Sequence, residues 1–189
     1  MPAPLVPYRI TICGLDELCL HAEAGVTHVL TILDPEHPDP EVFATYGEHQ
    51  RTVWRFHDTI RDRDDLQHPT AETVRAILDF GASEAARSIA HLLIHCHMGI
   101  SRSTAAAAIL MARDNPGREA EAFDHLWSIR PRSWPNSRMV ALADARLGRG
   151  GALAEAMRVH HARVARSFPD FASLLRQGER AHEVPDGIG

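Results

Sequence analysis

Short apolar, β-branched runs alternate along this chain with segments of helical periodicity, and this alternation constrains the fold more than any other feature. The runs at residues 8–13, 26–33, 51–57 and 91–95 are predicted strands. Apolar residues at helical spacing lie between and after them. Because parallel strands are joined by crossover connections, usually helices, the alternation predicts an α/β fold. We expect a single domain with a central, mostly parallel sheet flanked by helices.

The helical segments are bounded by glycine, proline and capping residues. Helices are predicted at residues 15–24, from 70, at 103–113, 120–130, 139–147 and from 152 onward, with a weaker one at 171–175. The prolines between residues 35 and 40 predict an irregular loop, and residues 58–68 are predicted to form a charged, exposed one. We expect residues 178–189 to fray.

The chain is long enough for one domain with a hydrophobic core. It has 189 residues, 44% of them hydrophobic and 24% charged, and at this size a fold needs neither metal nor disulfide to be stable. Residues 1–150 carry the alternation of strands and helices, and we expect them to form the domain that carries the chemistry. We expect residues 151–189 to be a C-terminal helical extension packed on the same domain.

All 20 basic residues are arginine, because the sequence contains no lysine. This excludes a Schiff-base lysine and the lysine of a P-loop NTPase. A formal net charge of −5 argues against broad nucleic-acid binding, which depends on excess positive charge. Any recognition of phosphate by this chain must therefore be local and based on arginine.

The cysteine and histidine patterns indicate neither a secreted nor a metal-dependent protein. Three cysteines form no disulfide framework and the N-terminus lacks the features of a signal peptide, so we expect a cytoplasmic location. The longest apolar run is far shorter than the roughly 20 residues that span a bilayer, and we expect no membrane association. The 13 histidines show no metal-ligand spacing, and we expect no metal.

Residues 95–103, HCHMGISRS, place a cysteine at the end of a predicted strand and an arginine at the start of a predicted helix. A loop that wraps into a helix N-terminus turns its backbone NH groups inward and forms a nest for a tetrahedral dianion. Gly99 supplies backbone freedom for the wrap, and the guanidinium of Arg102 can bind two phosphate oxygens at once. The helix N-terminus and Arg102 favour the thiolate of Cys96, which we expect to be an anion at neutral pH.

These residues resemble the signature of the protein tyrosine phosphatase superfamily, in which His-Cys is followed by five residues, Arg, and Ser or Thr. The matching residues here are His95, Cys96, Arg102 and Ser103. The ending Gly-x-Ser-Arg-Ser is most similar to the dual-specificity and related bacterial branch. The resemblance covers residues 8–147 and includes Arg130, Pro131, Pro135 and Asn136. It implies that residues 1–150 form a cysteine-dependent phosphatase domain.

The resemblance also implies a role for each residue of the loop. Cys96 would attack phosphorus and form a phosphocysteine, Ser103 would help the sulfur to leave, and His95 would order the loop from behind. Family members more often have Ala where Met98 stands, so we expect Met98 either to narrow the pocket or to alter its rim. No cofactor is implied. The residues expected to bind phosphate are His97, Met98, Gly99, Ile100, Ser101 and Arg102.

The leaving oxygen of a phosphate ester needs a proton, so a general acid must reach it. The resemblance implies an Asp on the loop after the strand that precedes the helix leading to the signature strand. The matching residue is Asp58, directly after the predicted strand at 51–57. Asp62, Asp64 and Asp65 in the same loop are alternatives.

Cys13 and Cys19 are predicted core residues. Some phosphatases of this superfamily protect the nucleophile as a disulfide with a second cysteine, because a reactive thiolate oxidises readily. On this resemblance Cys13, at the end of a predicted strand, is the better partner for Cys96.

The resemblance implies a phosphomonoesterase that hydrolyses phosphotyrosine in proteins, with phosphoserine and phosphothreonine left open. Its partner would be a phosphorylated protein or an aryl phosphate, and the oligomeric state stays open. Two alternatives remain, since both use an anion-binding loop. One is a pseudophosphatase-like module that binds phosphate without turnover, and the other is a rhodanese-like or arsenate-reducing thiol enzyme.

Overall fold

Four parallel strands form the central sheet of the structure, a computed structural model that describes residues 3–185 apart from the side chains of residues 84 and 85. The strands lie in the order β1-β4-β2-β3, and every pair of neighbours is parallel. The predicted α/β fold with a parallel sheet is therefore confirmed. The strands are β1 (Arg9–Cys13), β2 (His28–Leu33), β3 (Gln50–Arg55) and β4 (His91–His95).

The longer helices lie where apolar spacing predicts them, but one predicted helix is a 3-10 turn. Residues 15–24 are predicted as a helix, but the described conformation is a 3-10 turn at Leu15–His21, which buries Leu18 alone among its residues. No helix within residues 3–185 is both long enough and apolar enough to cross a bilayer. The helices are α1 (Ala71–Ala82), α2 (Glu84–Arg87), α3 (Arg102–Arg113), α4 (Glu119–Ile129), α5 (Ser137–Leu147), α6 (Ala152–Ser167) and α7 (Pro169–Arg176).

Helix α3 is the centre of the hydrophobic core. Every residue from Arg102 to Ala112 is buried, because α3 lies on β1 and β4 and is enclosed by α1, α4 and α5. The four alanines at residues 105–108 have side chains small enough for close packing on all sides. The N-terminus of α3 is therefore held rigidly at the carboxyl end of β4.

The other face of the sheet is covered by short turns rather than by long helices. Leu18 and Phe43, from the 3-10 turns Leu15–His21 and Glu41–Thr45, pack there with Val29 and Leu93 of the sheet. Tyr46 joins the two turns, since its hydroxyl donates a hydrogen bond of 2.6 Å to the carbonyl of Leu18. The first turn follows the carboxyl end of β1, and the second lies between the carboxyl end of β2 and the start of β3.

Helix α6 is anchored to α5 through a buried carboxylate. Asp144 accepts hydrogen bonds from the backbone NH groups of Gly151 (2.7 Å) and Leu153 (2.8 Å), which are among the free donors at the start of α6. The charge of Asp144 also suits the positive end of that helix. Within α6, His161 stacks flat on Trp134, with ring centroids 3.9 Å apart. The C-terminal helices therefore pack against the segment that joins α4 to α5.

The prediction that residues 178–189 fray is wrong for residues 178–185. Val184 is buried, and Glu183 Oε2 accepts a hydrogen bond of 2.8 Å from Nε1 of Trp134. These contacts join residues about fifty positions apart, so no local sequence pattern indicates them. Residues 186–189 lie outside the described part of the chain.

Gly99 makes the closest backbone approach between the loop after β4 and the end of β1. Its φ is +65°, in the left-handed region. A Cβ atom there would lie 2.4 Å from the carbonyl carbon of Cys13 and 2.6 Å from the nitrogen of Gly14. The loop therefore requires glycine for its conformation and also for space.

Replacement of Gly99 by alanine tests this approach, with Gly117→Ala as the matched control. Gly117 also has a positive φ, +82°, but a Cβ there would meet nothing within 4 Å. We expect Gly117→Ala to lower the free energy of unfolding by about 1 kcal/mol through backbone strain, and Gly99→Ala to lower it by more than about 2 kcal/mol because backbone must also move. Urea denaturation measures both. Equal losses in the two variants would contradict the steric argument.

His160 is a buried histidine held in the neutral form. Its Nε2 atom hydrogen-bonds the hydroxyl of Ser133 at 2.8 Å, and its ring packs between Phe123 and Trp127. Burial lowers the pKa of His160 to about 4. Its neighbour His161 is buried as well.

We expect acid to destabilise the fold through this residue. Below the ordinary pKa of histidine, about 6.5, the unfolded chain binds a proton that folded His160 does not, so stability is lost as the pH falls from about 6.5 towards 4. At pH 5 the loss from one such residue is at most about 2 kcal/mol. Urea denaturation at pH 7 and pH 5 should show a smaller loss for His160→Gln, which can keep the bond to Ser133. Exposed His182→Gln is the control, and an equal loss in all three proteins would refute the argument.

Candidate active site

The loop between β4 and α3 has its carbonyl groups turned outward and hydrogen-bonded. In a trans peptide the C=O and the following NH point in opposite directions, so outward carbonyls place the NH groups of residues 98–102 on the inner side. The hydrogen bonds that orient the predicted nest of amides therefore come from residues outside the loop. The bonds run to His97 O from Leu15 N (2.9 Å), to Met98 O from Arg130 Nη2 (3.1 Å), to Gly99 O from Arg130 Nε (3.0 Å), to Ile100 O from Trp134 N (2.8 Å) and to Ser101 O from Asn136 N (3.4 Å).

Arg130 supports the loop by hydrogen bonds from outside, and Glu17 holds Arg130 in position. The two guanidinium NH2 groups donate to the two carboxylate oxygens of Glu17, each at 2.8 Å. This bond is the main reason that the pKa of Glu17 lies below its usual value. Glu17 also accepts a bond of 2.6 Å from the backbone NH of Gly14. The turn after β1 thus supports the loop after β4 through a paired charge.

Cys96 lies at the floor of the loop, directly after β4. Its residue is 3% exposed, and its Sγ atom is 3.2 Å from the hydroxyl of Ser103 in the first turn of α3. Behind it, Nε2 of His95 is 2.8 Å from the hydroxyl of Thr31 on β2. Burial lowers the pKa of His95 to about 4, so this ring is neutral and the bond to Thr31 connects the end of β4 to its neighbouring strand.

Arg102 is buried with one edge of its guanidinium bound by protein. Its Nη1 atom donates to Oδ1 of Asp34 at 2.6 Å and to the carbonyl of Phe56 at 2.5 Å. The other edge, Nε with Nη2, bonds to no described residue, and Nε is fully buried. A buried donor without a protein partner costs free energy unless a ligand bonds to it. This edge is the one that can bind two oxygens of a phosphate.

Asp34 was not identified from the sequence. It follows the last residue of β2, which pairs with β4 in the sheet, and its carboxylate also lies 3.6 Å from Nε2 of His97. The rule that ligand sites lie at the carboxyl ends of neighbouring parallel strands could have pointed to it.

Asp58 lies at the mouth of the loop and is held through one oxygen. Its Oδ1 accepts hydrogen bonds from Ser101 Oγ (2.7 Å), Asn136 Nδ2 (2.9 Å) and Arg180 Nη2 (2.6 Å). Burial raises the pKa of Asp58, but Arg180, Arg102 and the hydrogen bonds outweigh it, so the pKa lies below its ordinary value. Among residues 3–185, no hydrogen bond to Oδ2 is found.

The alternative carboxylates lie away from Cys96. Asp62 pairs with Arg138 at 2.7 Å, Asp65 pairs with Arg63 at 2.7 Å, and Asp64 is exposed. Asn136 caps helix α5, since its side chain accepts a bond of 3.0 Å from the NH of Met139. Its amide therefore links that cap to Asp58.

A pocket of about 190 Å³ joins these groups to an apolar rim. The inner end is the loop with Cys96 and Arg102, while the rim combines aromatic and aliphatic side chains with one arginine. Three of the rim residues come from the C-terminal extension, which sequence reasoning did not connect to the site. The lining residues are Asp58, Cys96, His97, Met98, Ile100, Ser101, Arg102, Trp134, Phe171, Leu175 and Arg180.

The remaining expected site residues also lie near the pocket. Met98 lines the pocket and is 66% exposed, which places it at the rim. Cys13 is buried on β1, where its strand partner is His95. Burial raises the pKa of Cys13 to about 12, so it is a protonated thiol. Cys13 is a core residue as predicted, whereas Cys19 is exposed and its prediction as a core residue is wrong. Both Cys13 and Cys96 are free, and their pairing on oxidation stays a prediction.

No metal site is apparent in the described part of the chain. Within it, no group of three or more His, Cys, Asp or Glu side chains is placed to hold a metal ion. The chemistry that this arrangement can perform is that of a thiol, a hydroxyl, a guanidinium and a carboxylate around one oxyanion.

Comparison with known proteins adds structural relatives but no sequence relatives. No protein-family model matches the chain, and no curated protein matches it significantly. Human DUSP28 superposes with a TM-score of 0.58 at 17% identity, over 79% of this chain and 97% of that one. A mouse putative dual specificity phosphatase complexed with zinc tungstate gives a TM-score of 0.57 at 18% identity, over 82% and 92% of the two chains.

A third similar structure is the human tyrosine phosphatase-like serine/threonine/tyrosine-interacting protein. Its TM-score is 0.56 at 16% identity, over 76% of this chain and 93% of that one. Likeness at such identities is a likeness of fold, and it agrees with the resemblance carried by His95, Cys96, Arg102 and Ser103. This chain has the α/β fold of the dual-specificity phosphatases.

Proposed function

We propose that this chain is a cysteine-dependent phosphomonoesterase that works through a phosphocysteine intermediate. One observation carries the proposal: Cys96 lies at the start of a loop whose amides face inward, and it lines the same pocket as Arg102, whose Nε is buried without a partner among the described residues. A thiol, an amide nest and a guanidinium edge around one point suit a tetrahedral dianion. The fold shared with dual-specificity phosphatases supports the same reaction class.

In the first step Cys96 acts as the nucleophile. The thiolate attacks phosphorus in line, the sulfur–phosphorus bond forms, and the bond from phosphorus to the ester oxygen breaks. Asp58 gives its proton to that oxygen, so the alcohol or phenol leaves neutral. The amides of residues 98–102 and the Nε and Nη2 atoms of Arg102 stabilise the equatorial oxygens of the transition state.

In the second step water hydrolyses the phosphocysteine. Asp58, now a carboxylate, accepts a proton from the attacking water, whose oxygen bonds to phosphorus as the sulfur leaves. The hydroxyl of Ser103, 3.2 Å from Sγ, donates a hydrogen bond to the departing thiolate. Phosphate is released and both groups return to their starting states. No metal or cofactor takes part in either step.

The pocket favours an aryl phosphate as substrate. Trp134, Phe171 and Leu175 line the rim above the loop and offer apolar surface to a phenyl ring. We propose phosphotyrosine in a protein as the physiological target, with phosphoserine and phosphothreonine as further candidates. We propose that residues 1–150 are the phosphatase domain and residues 151–189 its C-terminal extension, from which Phe171, Leu175 and Arg180 supply part of the rim.

Hydrolysis is favoured over phosphate binding without turnover by two neighbours of the nucleophile. Ser103 within hydrogen-bond distance of Cys96 and Asp58 on the pocket wall are needed for turnover and are not needed for binding. A sulfur-transfer or arsenate-reducing enzyme has no ester oxygen to protonate, so it would not require Asp58 either. The proposal therefore depends on both Cys96 and Asp58.

Release of phosphate from phenyl phosphate and para-nitrophenyl phosphate tests the proposal. We expect Cys96→Ser to lose more than about a thousandfold in kcat/KM on both esters, because the nucleophile is removed. Asp58→Asn should lose about a hundredfold or more on phenyl phosphate and less on the para-nitrophenyl ester, whose leaving group needs less help from an acid. Asp64→Asn is the matched control in the same loop and should behave as the unsubstituted protein does.

The outcomes separate the candidate functions. Activity of the unsubstituted protein that survives excess chelator and depends on Cys96 supports the phosphatase. Phosphate binding without release by the unsubstituted protein would indicate the non-catalytic module. Sulfur transfer or arsenate reduction in place of phosphate release would indicate the thiol enzyme.

A further inference from the structure

Arg180, from the segment that follows α7, reaches into the pocket and contacts the proposed general acid. Its Nη2 atom donates to Oδ1 of Asp58 at 2.6 Å and to the hydroxyl of Ser101 at 2.8 Å. The side chain is 14% exposed. Because Ser101 also donates to Oδ1 of Asp58, these three residues form a closed set of hydrogen bonds at the pocket mouth.

The position of Arg180 is fixed by contacts that involve the whole extension. Trp134 packs with Phe171 of α7 and donates from Nε1 to Glu183 at 2.8 Å. Glu183 lies 3.7 Å from Nη1 of Arg180 on the side away from Asp58, and Val184 is buried next to it. Arg180 is therefore held between Glu183 and Asp58, and it is not a mobile surface side chain.

Other charged groups face Asp58, but they differ from Arg180 in their contacts. Arg102 of α3 acts on Asp58 by its charge and uses Nη1 for Asp34 and Phe56. His97 of the loop also interacts electrostatically with Asp58. On the far side, Arg180 faces the carboxylate of Glu183 and the neutral ring of His161. Among residues 3–185, Arg180 is the one cation with a hydrogen bond to Asp58.

We propose that Arg180 is a positioning residue for the general acid: it holds Oδ1 of Asp58, leaves Oδ2 to carry the transferred proton, and stabilises the carboxylate that remains. This inference rests on the proposed function. When Asp58 gives its proton to the leaving oxygen, the negative charge that appears is paired at once with the guanidinium. The same pairing makes the protonated form scarcer as the pH rises.

Arg180 therefore sets a balance between the strength of the acid and the pH range in which it is protonated. A stronger acid transfers its proton more readily, but a smaller fraction of the enzyme carries that proton at neutral pH. Removal of the guanidinium should weaken the acid and should also widen the pH range in which it is loaded. A residue with a purely structural role would lower activity at every pH alike.

The pH profile of kcat/KM on phenyl phosphate, with the full chain, distinguishes these cases. For Arg180→Gln we expect the basic limb to move to higher pH. Because the pKa of Asp58 lies below its ordinary value, the activity of the variant relative to the unsubstituted enzyme should rise about 3- to 10-fold between about pH 3 and about pH 6 and stay level above that. Arg180→Lys keeps the charge and should restore the original limb. Arg132→Gln is the matched control, because Arg132 lies over the ring of Phe171 and carries the same charge near the same rim. It should leave the limb in place.

A second readout keeps this inference separate from the proposed function. Carbon-13 NMR of aspartate carboxyl groups, with the Asp58 signal assigned by its loss in Asp58→Asn, follows the titration of Asp58 whether or not the protein hydrolyses any ester. A shift of that titration to higher pH in Arg180→Gln, reversed in Arg180→Lys, supports the inference even if no phosphate is released. If the unsubstituted protein releases none, the proposed function fails by itself.

The inference is overturned if Asp58 titrates alike in the unsubstituted protein and Arg180→Gln. It is also overturned if the kinetic limb does not move, or if Arg132→Gln moves it equally. Thermal unfolding of each variant shows whether the fold survives. If Arg180→Gln fails to fold, the same measurements are made on Arg180→Met. The apolar side chain of that variant can keep the packing of the arginine stem against the pocket wall while the charge is lost.

Discussion

The site depends on the outward hydrogen bonding of the loop after β4. The carbonyls of residues 97–101 accept bonds from the turn after β1, from Arg130 and from the segment before α5, and this turns the intervening NH groups towards Cys96. The buried packing of α3 fixes the other end of the loop. Because the binding groups are oriented before any ligand arrives, little reorganisation is needed when a phosphate binds. The rest of the pocket is arranged around this cradle.

Two ion pairs fix the orientation of the arginine side chains at this loop. Asp34 holds one edge of Arg102 and leaves the other edge to the ligand, while Glu17 fixes Arg130 against the back of the loop. Such pairs rely on partial burial for their strength, since exposed pairs contribute little. The extension adds a third pair at the mouth, between Arg180 and Asp58. Arg102, Arg130 and Arg180 therefore each hold a different part of the site. The chain contains no lysine that could replace them.

The sequence predicts those parts of the structure that local patterns determine. Strand β4 and helix α3 follow from apolar periodicity. The choice of Asp58 follows from the resemblance to the phosphatase superfamily, and Asp58 does line the pocket. Asp34 and Glu17 were missed, because their partners lie far along the chain and each looks like an ordinary surface acid in its own segment. Arg180 gave no local signal at all, and the expected fraying of its segment ignored its contacts with Trp134 and Asp58. The 3-10 turn Leu15–His21 shows a related limit, since helical spacing does not distinguish kinds of helix.

The central claim is that Cys96 carries phosphate during turnover, and acid-quenched mass spectrometry tests it most directly. During turnover of para-nitrophenyl phosphate, one phosphoryl group should appear on the peptide that contains Cys96. It should accumulate further in Ser103→Ala, in which the departing sulfur loses its hydrogen-bond donor, and it should be absent from Cys96→Ser. Turnover with no phosphoryl group on Cys96 in either the unsubstituted protein or Ser103→Ala would contradict the account.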